Sequence, residues 1–436
     1  MNRNSVVALV GYDGSARSVE RAVESAGGLD GAQATSRVLV KPNLMGIDDS
    51  FPYPLFGVIT TARVMEPLIR CLAEAGHSRI TIGEGSVTGR ATGIGLDTAE
   101  IFGRLGYNEF KKRYGVDLID FNEGPFESII LNGHRVRVAA AALEADVLWT
   151  VPVLKTHGQT MVSLGLKNLK GCLQRVSKSR FHEPGASLEG LIARLALKLN
   201  PAFCLIDGIY ALERGPQITG KAWRTDLVIA SRDVLSADWV GARLLGFEPR
   251  RVEHLRAYAE LTDRADSTWG PSVLGLSVDE HRRPLNWDWH WREDNSGPAG
   301  WDRLGIRGIR FPNYDGTLCT GCSLVFGGLL SIVGGAYQRK AFCGDQFLTG
   351  KAMSADPAYG RAFLFGDCMV RAHRDNTSLA EAVPIQGCPP ALDEAVRVMN
   401  AHGLQASMED YARFRRHLAS RYENRPDFRP EDFVVP

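Results

Sequence analysis

The sequence predicts an α/β fold: a doubly wound, mostly parallel sheet domain followed by a smaller α/β domain that bears cysteines. Short apolar runs typical of buried strands alternate along the chain with amphipathic stretches typical of helices. The length of 436 residues exceeds what one hydrophobic core usually serves, which indicates at least two domains. With 44% hydrophobic and 23% charged residues, the composition is that of a folded protein.

Seven buried strands are predicted in the first part of the chain, because each segment is a run of aliphatic and β-branched residues. They cover residues 5–12, 37–43, 79–85, 116–122, 146–157, 202–208 and 226–233. Amphipathic stretches over 61–76 and 96–107 predict helices between them. Residues 126–139 alternate around an Asn-Gly pair, which predicts a β-hairpin inserted into this domain.

The pattern changes near Trp269, where Trp287, Trp289 and Trp291 alternate with polar residues and predict a strand with one aromatic face. After residue 300 the sequence again predicts strands, over 305–311, 361–367 and 382–387, and a helix over 389–403. The Pro- and charge-rich tail, 421–436, is expected to run extended over the surface.

These changes divide the chain into three parts. We expect an anion-binding α/β domain over residues 1–265, a Trp-rich connecting segment over 266–300 and a cluster-binding α/β domain over 301–436.

The charge balance argues against nucleic-acid and membrane partners, because both require a concentrated basic patch. The chain has 51 basic and 50 acidic residues and a net charge of +1. The least charged long segment, Leu318–Gln338, contains five glycines, which disfavours a membrane span. The first apolar run is too short for a signal peptide. We therefore expect a cytoplasmic protein, a compartment in which cysteines stay reduced.

Polar residues follow several predicted strands directly, and the carboxyl ends of parallel strands meet at one edge of a sheet, where ligands bind. Ammonium and amide donors in such a cleft suit a small anionic substrate, either a carboxylate or a phosphate. We expect three of these residues to be catalytic: Lys155, His157 and Lys167. We expect the others to bind the substrate: Lys41, Asn43, Glu84, Asn168 and Asp207.

Any one of these lysines is equally well explained as a surface residue at a strand end, and His157 alone as a structural residue. The grouping is therefore the informative feature. The sequence contains neither a P-loop nor a G-x-G-x-x-G fingerprint, so it gives no sign of a nucleotide cofactor.

Four cysteines follow predicted strands of the last domain and predict a metal centre: Cys319, Cys322, Cys368 and Cys388. Four thiolates suit zinc or an iron–sulfur cluster. A [4Fe–4S] cluster is favoured because the second C-x2-C pair of a zinc knuckle is missing and because prolines follow Cys388. The small, glycine-rich surroundings would also let backbone N–H groups approach cluster sulfides.

Three alternatives remain open at this point: zinc, a metal-free C-x-x-C redox pair, and cysteines that only fill a core. Cys343 could replace one of the four ligands or add to them. The remaining cysteines, Cys71, Cys172 and Cys204, lie in or beside apolar runs and are expected to act as small hydrophobic residues.

Several of these segments together resemble the domain of unknown function 362 family over about Val38–Gly246. The segments include "VLVKPNLM", "VPVLKTHGQTMVSLGLKNLKGC" and "LIDGIYALERGP". The resemblance implies an iron–sulfur association, since many members carry a ferredoxin-like cysteine module. This chain lacks that compact module, but the layout of its cysteines is similar to that of the proximal-cluster subunits of hydrogenases and respiratory complex I. The first domain also resembles, distantly, the amino-terminal domain of the lactate racemase family, which handles a small hydroxy acid.

Taken together, these features predict an iron–sulfur oxidoreductase that reduces a small anion with electrons relayed by one [4Fe–4S] cluster. A ferredoxin-like partner is the expected electron donor, because no flavin or nicotinamide fingerprint is present. The alternative is a non-catalytic electron-transfer or cluster-binding accessory protein.

Overall fold

A computed structural model describes residues 5–30, 33–49, 54–215, 219–266, 269–338 and 344–436. Within these ranges the strands form a ten-stranded sheet, a four-stranded sheet and a two-stranded hairpin. We call the ten-stranded sheet with its helices the first unit, and the four-stranded sheet with its helices the second unit.

The strands of the first unit and the hairpin are β1 (Val6–Gly11), β2 (Val38–Pro42), β3 (Ile80–Glu84), β4 (Asp117–Asp120), β5 (Phe126–Leu131), β6 (His134–Ala139), β7 (Val147–Val151), β8 (Val153–His157), β9 (Met161–Ser163), β10 (Phe203–Glu213), β11 (Lys221–Ser231) and β12 (Ser272–Gly275). Those of the second unit are β13 (Ile309–Arg310), β14 (Asp345–Leu348), β15 (Arg361–Phe365) and β16 (Glu381–Ile385).

The helices before the second unit are α1 (Ala16–Ser25), α2 (Ala62–Glu74), α3 (Thr98–Arg104), α4 (Asn108–Tyr114), α5 (Ala140–Glu144), α6 (Gly165–Asn168), α7 (Arg175–Arg180), α8 (Leu188–Leu199), α9 (Val234–Leu244), α10 (Glu253–Leu261) and α11 (Val278–His281). Those of the second unit are α12 (Thr320–Gln338), α13 (Asp367–Ala372), α14 (Leu392–Ala401) and α15 (Met408–Ser420).

The large sheet confirms the predicted fold class. Its order is β12-β1-β11-β10-β7-β2-β3-β4, and the pairs from β10 to β4 are all parallel. Strand β11 is antiparallel to both of its neighbours, and β8 with β9 extends the sheet beside β10. The sheet is therefore mixed but mostly parallel.

Helices cover both faces of this sheet, as a doubly wound fold requires. On one face, Leu191 of α8 and Leu235 of α9 belong to a buried apolar cluster. On the other face, Val19 of α1 and Leu68 of α2 belong to a second cluster. Because both faces are buried, the central strands are nearly continuous apolar runs, which is what made them recognisable in the sequence.

The second unit is built on four parallel strands in the order β13-β14-β15-β16. Its core contains a stack of rings from neighbouring strands, with Phe347 4.7 Å from Phe363 and 5.7 Å from Phe311, measured between centroids. Helix α12 packs on this core through one side only. It is long and apolar enough to cross a membrane by length and composition, and half of its most apolar window is buried here.

The structure contains the predicted hairpin but not the predicted aromatic strand. The hairpin is confirmed as β5 and β6, joined by Asn132 and Gly133, both with positive φ. The predicted aromatic strand is wrong, because the three indoles occupy separate environments. Trp287 is exposed, Trp289 packs under the Arg214 guanidinium, and Trp291 donates to the Phe311 carbonyl. No neighbouring strand pairs with this segment apart from a single bridge at Trp291.

The C-terminal tail returns to the first unit, contrary to the extended surface path expected from its charge. Phe433 is 1% exposed and packs 5.6 Å from Phe56, between ring centroids. Asp432 accepts a hydrogen bond from Tyr210 at 2.7 Å and pairs with Arg63 at 2.9 Å. The tail is thus part of the first unit's core.

We expect Phe433→Ala to lower the free energy of unfolding by about 3 kcal/mol, because it leaves a cavity in a packed aromatic cluster. The matched control is Val434→Ala next to it, where the side chain is 43% exposed, and the expected change there is below about 0.5 kcal/mol. Urea unfolding of both variants measures this, and equal losses would contradict the packing of the tail.

Candidate functional site

A cavity of about 100 Å³ lies at the carboxyl ends of the central strands. We call it the lysine cavity. Seven of the eight residues expected to form a cleft line it: Lys41, Asn43, Glu84, Lys155, His157, Lys167 and Asn168. The convergence of strand ends that the sequence predicted therefore brings these side chains together.

Lys41 and Glu84 form a buried ion pair at the floor of the cavity. The Lys41 ammonium lies 2.9 and 3.0 Å from the two carboxylate oxygens and also donates to Asn168 Oδ1 at 3.2 Å. Glu84 further accepts from the backbone N–H of Leu44 at 3.0 Å. Gly171 passes so close that a Cβ there would lie 2.4 Å from Glu84 and 2.5 Å from Lys41. The pair is fully satisfied and therefore structural.

Lys155 is also engaged by the protein. Its ammonium donates to Asn43 Oδ1 at 2.6 Å and to the Val58 carbonyl at 2.7 Å. Burial, followed by the nearby charge of Lys167, lowers its pKa well below the ordinary value. Lys155 is therefore best placed to orient Asn43.

Lys167, in the short helix α6, differs from the other two. Within the described part of the chain, its ammonium has no hydrogen bond and no ion pair. Burial lowers its pKa to about 8, and the charge of Glu189 offsets this only partly. The side chain is only partly buried, so water reaches this ammonium, and its lack of a protein partner leaves it available to an anion.

His157 can act as a neutral hydrogen-bond donor. Its Nδ1 accepts from the Gln159 backbone N–H at 3.1 Å, so the proton of the neutral ring is on Nε2. Burial and then Lys167 lower the pKa of this imidazole well below its usual value. Nε2–H is therefore available to an oxygen of a bound ligand.

The sequence reasoning missed three residues of the cavity: Lys170, Lys178 and His182. Lys170 donates to His182 Nε2 at 2.6 Å, and His182 Nδ1 donates to the Gly316 carbonyl at 2.8 Å. Lys178 donates to the Gly85 carbonyl, and burial lowers its pKa to about 8. Their spacing in the sequence could have identified them, because residues three or four apart lie on the same face of a helix. Lys170 follows Lys167 by three residues, and His182 follows Lys178 by four.

Asp207 does not line the cavity, which corrects the expectation that it binds substrate. Its carboxylate accepts from the backbone N–H and hydroxyl of Thr61 at 2.7 and 2.8 Å and from the Ile209 N–H at 3.1 Å. These bonds attach the start of α2 to strand β10. Burial raises the pKa of Asp207, and the Thr61 bonds oppose that rise.

The charges that line the cavity do not balance. Five lysines face it, and Glu84, the single carboxylate among the described lining residues, is already paired with Lys41. Ammonium groups are costly to bury without counter-charges. A cavity of about 100 Å³ has room for about three water molecules, because each takes about 30 Å³ of liquid volume. The arrangement is thus suited to an anion of the size of one carboxylate or phosphate group.

The first turn of α12, next to the first two cysteines, contributes to the wall of this cavity. Thr320 and Ser323 are among its lining residues, and Lys170 lies 3.4 Å from the Thr320 hydroxyl. Gln159 of the first unit donates to the carbonyls of Asp315 and Leu318, both at 3.0 Å. The candidate anion site and the cysteines therefore share one wall.

Cys319 precedes α12, and Cys322 lies in the first turn of that helix. The Cys322 thiol and the backbone N–H groups of Gly321 and Cys322 all donate to the Cys319 sulfur. These bonds lower the pKa of Cys319 to about 5 despite its burial. A sulfur surrounded by N–H donors at a helix start is stabilised as the thiolate, which is the form that binds metals.

The other two cysteines reach the same place from neighbouring loops. Cys368 lies in the turn from β15 into α13, where a Cβ on Gly366 would be 3.4 Å from Cys322 Sγ. Cys388 follows β16, and a Cβ on Gly321 would be 3.4 Å from the adjacent Pro389. The hydrogen bond to Cys319 and burial raise the pKa of the Cys322 thiol, and Cys388 and Cys368 lie near enough to add to that rise.

Among the residues that the structure describes, no group of three or more His, Cys, Asp or Glu side chains is positioned to hold a metal ion. The thiols thus converge on one region without forming a ligand shell, and Cys343 lies outside the described residues. The donor chemistry suits a cluster, since the thiols approach from three loops and N–H groups point at one sulfur. Cys71, Cys172 and Cys204 are buried in the first unit, as expected.

Two other proteins are similar to a little over half of this chain. It is 26% identical over 249 residues to "Thylakoid-associated protein sll1697" of Synechocystis sp., which covers 56% of this chain and 74% of that protein. The lactate racemase apoprotein from Thermoanaerobacterium thermosaccharolyticum aligns with a TM-score of 0.32 and 19% identity. That alignment covers 54% of this chain and 56% of the racemase, so the chain spans about half of the latter's length.

A family comparison concerns the first unit. Residues 38–243 match the sequence model of a family described as "Domain of unknown function (DUF362)". The range contains every residue identified above as lining the lysine cavity, apart from Thr320 and Ser323. The resemblance expected over Val38–Gly246 is thereby confirmed as a match to DUF362 over residues 38–243.

Proposed function

We propose that this protein is an iron–sulfur oxidoreductase that holds a small anionic substrate by its carboxylate or phosphate group in the lysine cavity and reduces that substrate with electrons relayed by one cluster. The proposed ligands of one [4Fe–4S] cluster are Cys319, Cys322, Cys368 and Cys388. The observation that supports the proposal best is the shared wall, since the start of α12, where Cys319 and Cys322 lie, also supplies Thr320 and Ser323 to the cavity. An electron relay serves a substrate only when the two lie close together.

Such a cluster, when bound, would supply single electrons at a potential tuned by the surrounding N–H groups. The chain's own groups have separable roles in the proposal. Lys167 donates a proton to the anion as charge builds up on it, because its pKa of about 8 is matched to neutral solution. His157 Nε2–H and the ammonium of Lys170 stabilise that charge. Asn43, held by Lys155, and Asn168, held by Lys41, orient the anion.

The electron donor in this proposal is a ferredoxin-like protein that reaches the thiols from the solvent side. Cys388 is exposed and Cys368 is partly exposed, whereas Cys319 is buried and precedes Thr320, which lines the lysine cavity. Electrons would thus enter on one side and leave on the other. A cytoplasmic location follows from the need for a reduced donor and free thiols.

Metal content tests the cluster. Protein purified without oxygen is expected to contain about four iron and four sulfide per chain and to lose both in Cys319→Ser and in Cys368→Ser. Cys71→Ser, on α2 in the first unit, is the matched control and should keep them. One zinc per chain without sulfide would overturn the redox part of the proposal.

The pH dependence of binding tests the anion site. The pKa values of Lys167 and Lys178 are lowered to about 8 in the free protein, and a bound anion favours their charged forms. Inorganic phosphate should therefore bind with uptake of protons near pH 8. Affinity should change little through this linkage well below pH 8, and above it should fall about tenfold per pH unit for each lysine that must be charged.

Titration calorimetry in two buffers of different ionisation enthalpy measures both quantities. Lys167→Met is expected to weaken phosphate binding by about tenfold or more, since a charge-assisted hydrogen bond contributes about 1.5–3 kcal/mol. Lys112→Met, an exposed lysine on α4, is the control. If Lys167→Met bound phosphate as the unchanged protein does, the site would not be an anion site.

A further inference from the structure

A second, larger cavity of about 830 Å³ adjoins the lysine cavity, and the proposed function leaves it without a role. We call it the apolar cavity. Its walls come from the uncovered side of α12, from the Trp-rich segment and from α15. Its apolar side chains include Trp289, Trp301, Leu324, Phe326, Leu330 and Phe414, and charged residues such as Arg214, Arg303 and Arg413 line it as well.

The two cavities adjoin. His157, Gln159 and Ser323 line both of them, so the imidazole and the first turn of α12 lie where the two meet. Any ligand group held by Lys167 and His157 therefore has the apolar cavity directly behind it.

The sizes of the two cavities differ in a way that defines a ligand. A volume of about 100 Å³ holds one anionic group, whereas about 830 Å³ lies within the roughly 300–1,000 Å³ range of ordinary ligand pockets. An apolar wall of this extent is not needed to bind a small hydrophilic acid. It stabilises a ligand whose other end is apolar, because each buried methylene contributes about 0.8 kcal/mol.

We infer that the substrate is an amphipathic anion, with its carboxylate or phosphate group in the lysine cavity and an apolar chain or ring system along α12 in the apolar cavity. This inference rests on the proposed anion site and specifies the class of its ligand. The uncovered apolar side of α12 is then the wall of a binding site within the protein.

A series of straight-chain carboxylates from butanoate to dodecanoate tests this, each used below its micelle concentration. Affinity is expected to rise about three- to fourfold per added methylene until the cavity is filled. A series in which affinity does not depend on chain length, with phosphate still bound, would overturn the inference and leave the proposed anion site standing.

Two variants fill the apolar cavity without touching the lysines. Ser331 lines the cavity, and among the described residues its hydroxyl bonds within its own helix, to the Gly327 carbonyl at 2.9 Å. A Cβ on Gly300 would meet no atom within 4 Å. Ser331→Phe and Gly300→Leu are expected to weaken dodecanoate binding about tenfold or more, because the new side chain fills space that several methylenes of the ligand would occupy. Ser25→Phe on the exposed face of α1 is the matched control.

Phosphate binding by Ser331→Phe shows whether the variant is folded and should stay within about twofold of the unchanged protein, because phosphate needs only the lysine cavity. Lys167→Met should weaken both phosphate and dodecanoate. If the affinity for dodecanoate were unchanged in Lys167→Met but lowered in Ser331→Phe, the carboxylate would not lie at Lys167. The proposed anion site and the proposed orientation of the ligand would then both be wrong.

A lipid bilayer is the competing occupant of the apolar side of α12. In that case the protein would float with phosphatidylcholine vesicles in the absence of carboxylate, and affinity in the series would not rise with chain length. That pair of results would overturn the inference.

Discussion

An excess of buried positive charge is the constraint on which the site depends. Five lysines face one small cavity, and the single carboxylate among its described lining residues is already paired with Lys41. Removing an ammonium from water costs several kcal/mol unless other charges or acceptors compensate. The structure compensates in part, with carbonyl and amide acceptors for Lys155 and Lys178. Lys167, whose side chain is only partly buried, receives no such compensation in the described residues, and the proposed anion would supply it.

The same constraint explains how the two units are joined. His182 relays a hydrogen bond from Lys170 to the Gly316 carbonyl, and Gln159 donates to two carbonyls of the loop before Cys319. Residues next to the lysines therefore hold the loop that begins α12. Lys351 adds an ion pair from the second unit to Glu183 of the first at 2.8 Å. The geometry of the thiols and that of the cavity are thus not independent.

The sequence predicted the features that depend on short stretches of residues and missed those that depend on contacts between distant residues. The strand ends with Lys41, Glu84 and Lys155 were predictable, because carboxyl ends of parallel strands share one edge. Asp207 was misplaced because β10 runs on to Glu213, so the residue lies within a strand rather than at its end. Helix α12 was not recognised, since an uncharged run rich in glycine has no amphipathic period. The aromatic alternation near Trp289 predicted a strand. A strand also requires a neighbouring strand to pair with, and the local sequence does not specify whether one is present.

The buried C-terminal tail connects the second unit to the first for a second time. The second unit leaves the first after β12 and returns to it at Phe428 and Phe433, so it is an insertion fixed at both ends. A polypeptide anchored twice cannot diffuse away from its host, and its loops stay near their targets at a high effective concentration. Contacts such as that of Gln159 with the cysteine loop can then be individually weak and still persist. The tail thus acts as the second anchor of the inserted unit, in addition to filling the core of the first.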